Sequence, residues 1–251
     1  MTTTIVDIDA IPAIDHRAAM TLAEEEARRL LDLVDRLSDQ DWSRPTDCEG
    51  WDVKALLSHV LGAMEANTRT REFIRQYRAA TKAAKRSGRP MIDEMTANQV
   101  REHASLTPTE IAGGLHATAA NAVRGRRRMP AVMRAMPFRP GAPFEGRWKL
   151  GYLVDIIMNR DYWMHRVDLA RATGNELGLS VAHDGRVVAD VVAEWARAHG
   201  RAFTLTLEGP AGGTFVQGEH GEQLRLDAVE FCRILSGRGS GTGLLAHEVP
   251  F

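Results

Sequence analysis

The stretch that decides the fold is Lys149–Gly174, KLGYLVDIIMNRDYWMHRVDLARATG. At 100° per residue, Leu150, Leu153, Val154 and Ile157 share one helical face. Continued, that face meets Asp161, His165 and Asp168, so two carboxylates and an imidazole stand where core residues are due. Burying such groups unpaired is costly. They must pair with one another, bind a metal or border a wet cavity. Asp161 and His165 are four residues apart, so both can point at one ion, as the two histidines of an HExxH helix do. A carboxylate with an imidazole suits a borderline divalent metal such as Zn²⁺. An Asp–His hydrogen bond on a helix flank gives the same spacing without a metal, and Asp168 can instead face outward to Arg166 or Arg171.

Working outward, three more helices precede this one. Residues 17–38 carry Leu22, Leu30, Leu33, Val34 and Leu37 near helical spacing. DWSRPTDCEG, 41–50, breaks the pattern, and a second helix runs from Asp52 to about Arg86 with Val53, Leu56, Leu57, Val60 and Met64 in line. A third spans 108–128, opened by Thr107-Pro108 with Glu110 in its first turn. Four helices of this size predict a bundle. After Gly174 the character changes to a helix over 180–199, a strand over 203–209, two short strands within 212–226 and a closing helix from Asp227. The expected organisation is mainly α: a four-helix bundle over 1–177, then a small α+β domain over 178–251.

A third metal ligand must come from another helix. His59 flanks the apolar stripe of the second helix, beside Leu56 and Ala63, while His116 on the third helix is a weaker rival. His16, His103, His183, His199, His220 and His247 are expected at the surface. Cys48 precedes the second helix, where the dipole lowers a thiol pKa, although a small buried contact in the loop is the commoner explanation. Trp42 and Trp51 are expected to clamp this loop onto the bundle. The run of Arg124, Arg126, Arg127, Arg128, Arg134 and Arg139 reads as a solvated basic face.

Composition narrows the classes. The chain has 251 residues, 32 basic and 33 acidic, for a net charge of −1, so no global field favours nucleic acid or an anionic membrane. Two cysteines make no disulfide framework. MTTTIVDIDAIPAID lacks the basic and apolar regions of a signal peptide. The expectation is a soluble cytoplasmic protein, monomer or homodimer.

The motif W-x-x-P-T-x-C-x-G-W-x-V-x-x-L-x-x-H, carried by Trp42, Pro45, Thr46, Cys48, Gly50, Trp51, Val53, Leu56 and His59, resembles the start of the mycothiol-dependent maleylpyruvate isomerase-like family. That family belongs to the DinB-like metal-binding helical bundles. RDYWMHRVDLARATG, 160–174, resembles its second signature, and EFCRILSGRGSGTGLLAHEVPF resembles its C-terminal extension, related to sterol-carrier-like domains. The resemblance implies a DinB-like four-helix bundle with a sterol-carrier-like α+β part. It implies metal ligands at His59, Asp161 and His165, with Asp161 standing where the family's isomerase has Glu. It implies a catalytic arginine at Arg238, within Leu235-Ser236-Gly237-Arg238, a role that Arg233 can also fill. The implied cofactors are a divalent metal, Zn²⁺ by ligand type, and mycothiol as thiol co-substrate.

The chemistry so implied is addition of a metal-activated thiolate to an electrophilic small molecule. Addition, rotation and expulsion of the thiol make an isomerase, and release of the adduct makes an S-transferase. A non-catalytic small-molecule binding protein and a metal-dependent hydrolase on the same site are the alternatives.

Overall fold

The computed structural model describes residues 5–140 and 146–251. The chain divides into two units: Asp15–Leu177, and residues 5–14 together with Gly178–Phe251. Residues 5–14, expected with the bundle, belong instead to the second unit. Ile5–Asp7 forms a strand, β1, that hydrogen-bonds parallel to Thr214–Val216. Three residues form too short a strand to be recognised by alternation.

In the helical unit, α1 is His16–Val34, α2 Val53–Thr68, α3 Thr70–Ser87, α4 Met91–His103 and α5 Pro108–Arg127. A single turn, α6 (Ala131–Arg134), precedes the two-residue strands β2 (Pro137–Phe138) and β3 (Trp148–Lys149), which pair antiparallel. The last helix begins as α7 (Leu150–Tyr152), passes through a π-helical turn over Leu153–Ile157 and continues as α8 (Met158–Thr173), ending at Gly174 with φ of 71°. Helices α1, α2, α5 and α8 pack on one another as the four-helix core. Leu30, Leu33, Leu56, Leu57, Val60, Ile111, Leu115 and Leu169 fill it.

Helix ends follow the local chemistry. Asp52 accepts from the Ala55 amide at 2.8 Å and caps α2. Thr107 and Glu110 form a capping box ahead of α5, with Pro108 at its first position.

Two features depart from the sequence reading. The expected helix over 52–86 breaks at Arg69, whose φ of −148° and ψ of 135° are extended, and α3 folds back along α2 so that Gln76 reaches the Gly62 carbonyl at 3.0 Å. Helix α4 was not expected at all. It has Pro90 before it, Asp93 and Glu94 in its first turn and Arg101 and His103 in its last, and it packs on α2 and α3. The polar faces of α3 and α4 bury Gln76 and Gln99, which hydrogen-bond to each other at 2.9 Å.

The π turn also invalidates a 100° walk across it, because it inserts extra backbone. Arg126 of α5, expected in a solvated face, is wholly buried instead. Its guanidinium donates to the Val154 carbonyl and to Asn159 Oδ1, both at 2.9 Å. Asn159 donates in turn to the Ala19 carbonyl of α1 at 2.9 Å. Three helices are thus tied together where α8 begins, which sets the rotation of the face bearing Asp161 and His165.

The other unit holds a π-helical turn at Val181–Gly185, α9 (Arg186–His199), β4 (Phe203–Glu208), β5 (Gly213–Gln217), β6 (Glu222–Asp227) and α10 (Ala228–Leu235). Its sheet has the order β1-β5-β4-β6. β4 pairs antiparallel with β5 and parallel with β6, with Leu205 opposite Phe215 and Leu224. Alternation buries Phe203, Leu205 and Leu207, and the Trp195 ring of α9 lies 4.8 Å from Phe203 and 5.3 Å from Phe231 of α10. No helix among the described residues is long and apolar enough to cross a membrane.

Candidate metal centre

Three side chains from two helices converge inside the bundle. His59 Nε2 of α2 lies 3.8 Å from Asp161 Oδ2 of α8, and His165 Nε2 lies 3.3 Å from Asp161 Oδ1. One ligand atom from each falls within 4.8 Å of the other two. Both histidines are buried, whereas 28% of the Asp161 side chain is exposed. The opening therefore lies on the carboxylate side.

The nitrogens pointing away from this triad are engaged. His59 Nδ1 meets Gln99 Oε1 of α4 at 2.7 Å. His165 Nδ1 meets Asp168 Oδ2 at 3.1 Å. A carboxylate accepts only, so His165 donates through Nδ1, which leaves Nε2 as the nitrogen that faces the triad. This is the arrangement that metal-ligating histidines adopt.

The electrostatics favour a cation at this point. Burial opposes the charged form of His165, but the Asp161 charge, with the hydrogen bonds that the ring donates to the Asp161 and Asp168 carboxylates and its contact with Cys48, holds its pKa well above the ordinary value. Burial likewise opposes ionisation of Asp161. Attraction to His165 outweighs it and holds the carboxyl below the usual range. A site that concentrates positive charge between carboxylates, with two imidazole nitrogens and a carboxylate oxygen converging, has the donor set of a divalent metal.

The loop before α2 forms one wall. Pro45 and Asp52 pair across it, and Thr46 Oγ1 donates to the Trp51 carbonyl at 2.9 Å. Gly50 takes a φ of 76°, a conformation that favours glycine. This turn sets the Trp51 ring 5.3 Å from His59 and 6.5 Å from His165. Trp42 enters the core, but Trp51 thus covers the triad rather than only clamping the loop. Cys48 Sγ lies 3.4 Å from Asp168 Oδ2 and 3.9 Å from His165 Nδ1, behind the ring and away from the triad.

Other expectations need correction. Asp168 is wholly buried against His165 instead of facing outward. Arg166 pairs with Glu26 and Arg171 with Asp47. His116 is exposed and pairs with Asp35 at 2.7 Å, so it is no rival to His59. His103 and His183 are buried, not superficial, and His16 pairs with Asp155 at 2.8 Å. Gln99 and Gln76 were missed, since a glutamine carries no ligand signal in sequence.

Residues 23–170 match the family profile described as mycothiol maleylpyruvate isomerase N-terminal domain. The chain belongs to that family. Two solved structures extend the likeness beyond the matched segment. A crystal structure of a mycothiol-dependent maleylpyruvate isomerase superposes with a TM-score of 0.57 at 16% identity, covering 94% of this chain and 93% of that one. A histidine-to-alanine mutant of such an isomerase gives 0.56 at 16% identity, with the same coverage. At this identity the likeness is one of fold. No curated protein matches the chain significantly.

Arg238 belongs to the α+β unit, and the triad to the helical one. α10 ends with Gly237 at φ of 80°, and the Arg238 amide donates back to the Arg233 carbonyl at 2.8 Å. This close explains the glycine of the Leu-x-Gly-Arg pattern. Arg233 is buried and ion-paired to Glu230 at 2.6 Å, while Arg238 is partly exposed.

Proposed function

We propose that this chain is a metal-dependent thiol enzyme that uses mycothiol or a similar small thiol on an electrophilic small molecule, as an isomerase or S-transferase. The observation that carries the reading is the triad. His59, Asp161 and His165 converge, and both imidazoles have their far nitrogens engaged by Gln99 and Asp168. Family membership supports mycothiol and isomerase chemistry. A divalent metal at such a centre, Zn²⁺ by ligand type, supplies the Lewis acidity that makes a thiol a thiolate near neutral pH.

The chain's own residues do the rest. His59 and His165 would offer Nε2, and Asp161 an oxygen. Asp168 and Gln99 hold the two rings in place. Trp51 shields the imidazoles from water, and the exposed side of Asp161 admits the reactants. In the α+β unit, which we read as sterol-carrier-like, Arg238 would serve as the residue that pairs with a substrate carboxylate.

The test is turnover of maleylpyruvate by the metal-loaded chain with and without mycothiol. Thiol-dependent isomerisation or S-conjugation, abolished by His59→Ala and depressed by Arg238→Ala, is the expected result. Hydrolysis of ester or amide substrates with no thiol dependence would replace this function by the hydrolase alternative.

A further inference from the structure

Gln99 and Gln76 are buried, and they link the triad to the surface through a series of hydrogen bonds with only one consistent direction. Gln76 Nε2 lies 3.0 Å from both the Gly62 carbonyl and Glu72 Oε1. Both of those groups accept, so the Gln76 amide nitrogen must face them. Its oxygen is left to accept from Gln99 Nε2, at 2.9 Å. Gln99 Oε1 is then left to accept from His59 Nδ1, at 2.7 Å. Each link removes the alternative orientation of the next. At the outer end Arg75 grips Glu72 and bridges to Glu102 of α4 at 2.7 Å, fixing α3 to α4.

The backbone is shaped for this contact. A Cβ on Gly62 would stand 2.7 Å from the Gln99 side chain. Glycine inside α2 costs roughly 1 kcal/mol of helix stability relative to alanine, and here it gives Gln99 room beside His59.

We propose that Gln99 and Gln76 are positioning residues that place the hydrogen of His59 on Nδ1 and so keep its Nε2 lone pair bare and aimed at Asp161. The proposal rests on the metal reading above but extends to the metal-free protein, where the same tautomer holds. Two buried amides that merely satisfied each other would stabilise the fold without controlling the imidazole. Metal affinity and tautomer separate the two roles.

The experiment uses the full chain and Zn²⁺. Affinity is measured by competition with a chromophoric chelator, and melting is followed on the metal-free protein. The His59 tautomer is read from the ¹⁵N shifts of the ring in metal-free protein, assigned with His59→Gln. Gln99→Met keeps the bulk and removes the acceptor, and should weaken Zn²⁺ binding about 10–100-fold. Gln99→Glu keeps an acceptor for His59 but loses the donor to Gln76. It should bind Zn²⁺ within about threefold of the parent while melting at a lower temperature. The parent should show His59 with hydrogen on Nδ1, and Gln99→Met should lose that preference. Equal weakening of Zn²⁺ binding in both variants, parental affinity in Gln99→Met, or hydrogen on Nε2 in the parent would overturn the proposal. A parent that takes up no Zn²⁺ but shows the Nδ1–H form, lost in Gln99→Met, would support the relay and remove the metal reading.

Discussion

The carboxylate of Asp168, wholly buried, lies 3.1 Å from Nδ1 of His165, one helical turn away on α8. It orients the ring that also faces Asp161. Asp168→Ala should lower Zn²⁺ affinity about 10–100-fold, the usual cost of removing the partner of a metal-binding histidine. Asp168→Asn keeps an acceptor and should lose less. Chelator competition on the two variants checks the order, and parental affinity in the alanine variant would contradict the assigned role.

His103 and Glu65 give a pH signature away from the triad. Glu65 Oε2 lies 3.2 Å from His103 Nε2, and that hydrogen bond, aided by the Gln99 carbonyl, raises the His103 pKa despite burial. A raised folded-state pKa contributes stability that is full below the unfolded value, about 6.5, and is lost as pH rises through the folded value. The stability gap between parent and Glu65→Gln should be widest at pH 6 and below and should narrow on raising the pH. Urea denaturation at several pH values measures it. A gap that widens with pH would reverse the sign and refute the assignment.

Arg166 and Glu26 join α8 to α1 through a pair at 2.7 Å, both side chains at most 2% exposed. Removing one partner leaves the other's charge buried. Glu26→Ala should therefore cost about 3–5 kcal/mol, while Glu26→Met combined with Arg166→Met should recover most of that loss. Chemical denaturation of the single and double variants decides it. Additive losses would mean that the charges do not depend on each other.

At Gly125, α5 lies directly against the backbone of α2. A Cβ there would overlap the Asn67 carbonyl, which is backbone and cannot swing aside. Gly125→Ala gains helix propensity of about 1 kcal/mol, but separating two packed helices costs about 1–3 kcal/mol. The net effect should be destabilising, whereas Gly113→Ala, which meets nothing within 4 Å, should be neutral or stabilising. Thermal melts of the two variants check the contrast.

Much of the fold was legible because its signals are local. Apolar spacing in α1 and α2, the helix openings at Asp52, Thr107 and Asp227, and the glycine stop at Gly174 all act within a few residues. Asp161 and His165 stood out as polar residues on a core face, and the family motif pointed to His59. What was missed depends on tertiary context. β1 exists because β5 offers an edge, and α3 turns back at Arg69 without Gly or Pro to announce it. Gln76 and Gln99 look like ordinary surface residues until α3 and α4 fold onto α2 and bury them beside His59. Arg126 belongs by sequence to a basic run and by structure to the core, because the π turn presents it with a carbonyl.

The central claim is that His59, Asp161 and His165 form one metal centre. Elemental analysis of tag-free protein purified without chelator, alongside His59→Ala and His165→Ala, tests it most directly. The account predicts close to one equivalent of divalent metal in the parent and its loss in both variants, with each variant still folded by circular dichroism. A folded parent that holds no metal even after incubation with Zn²⁺ and other divalent ions would contradict it.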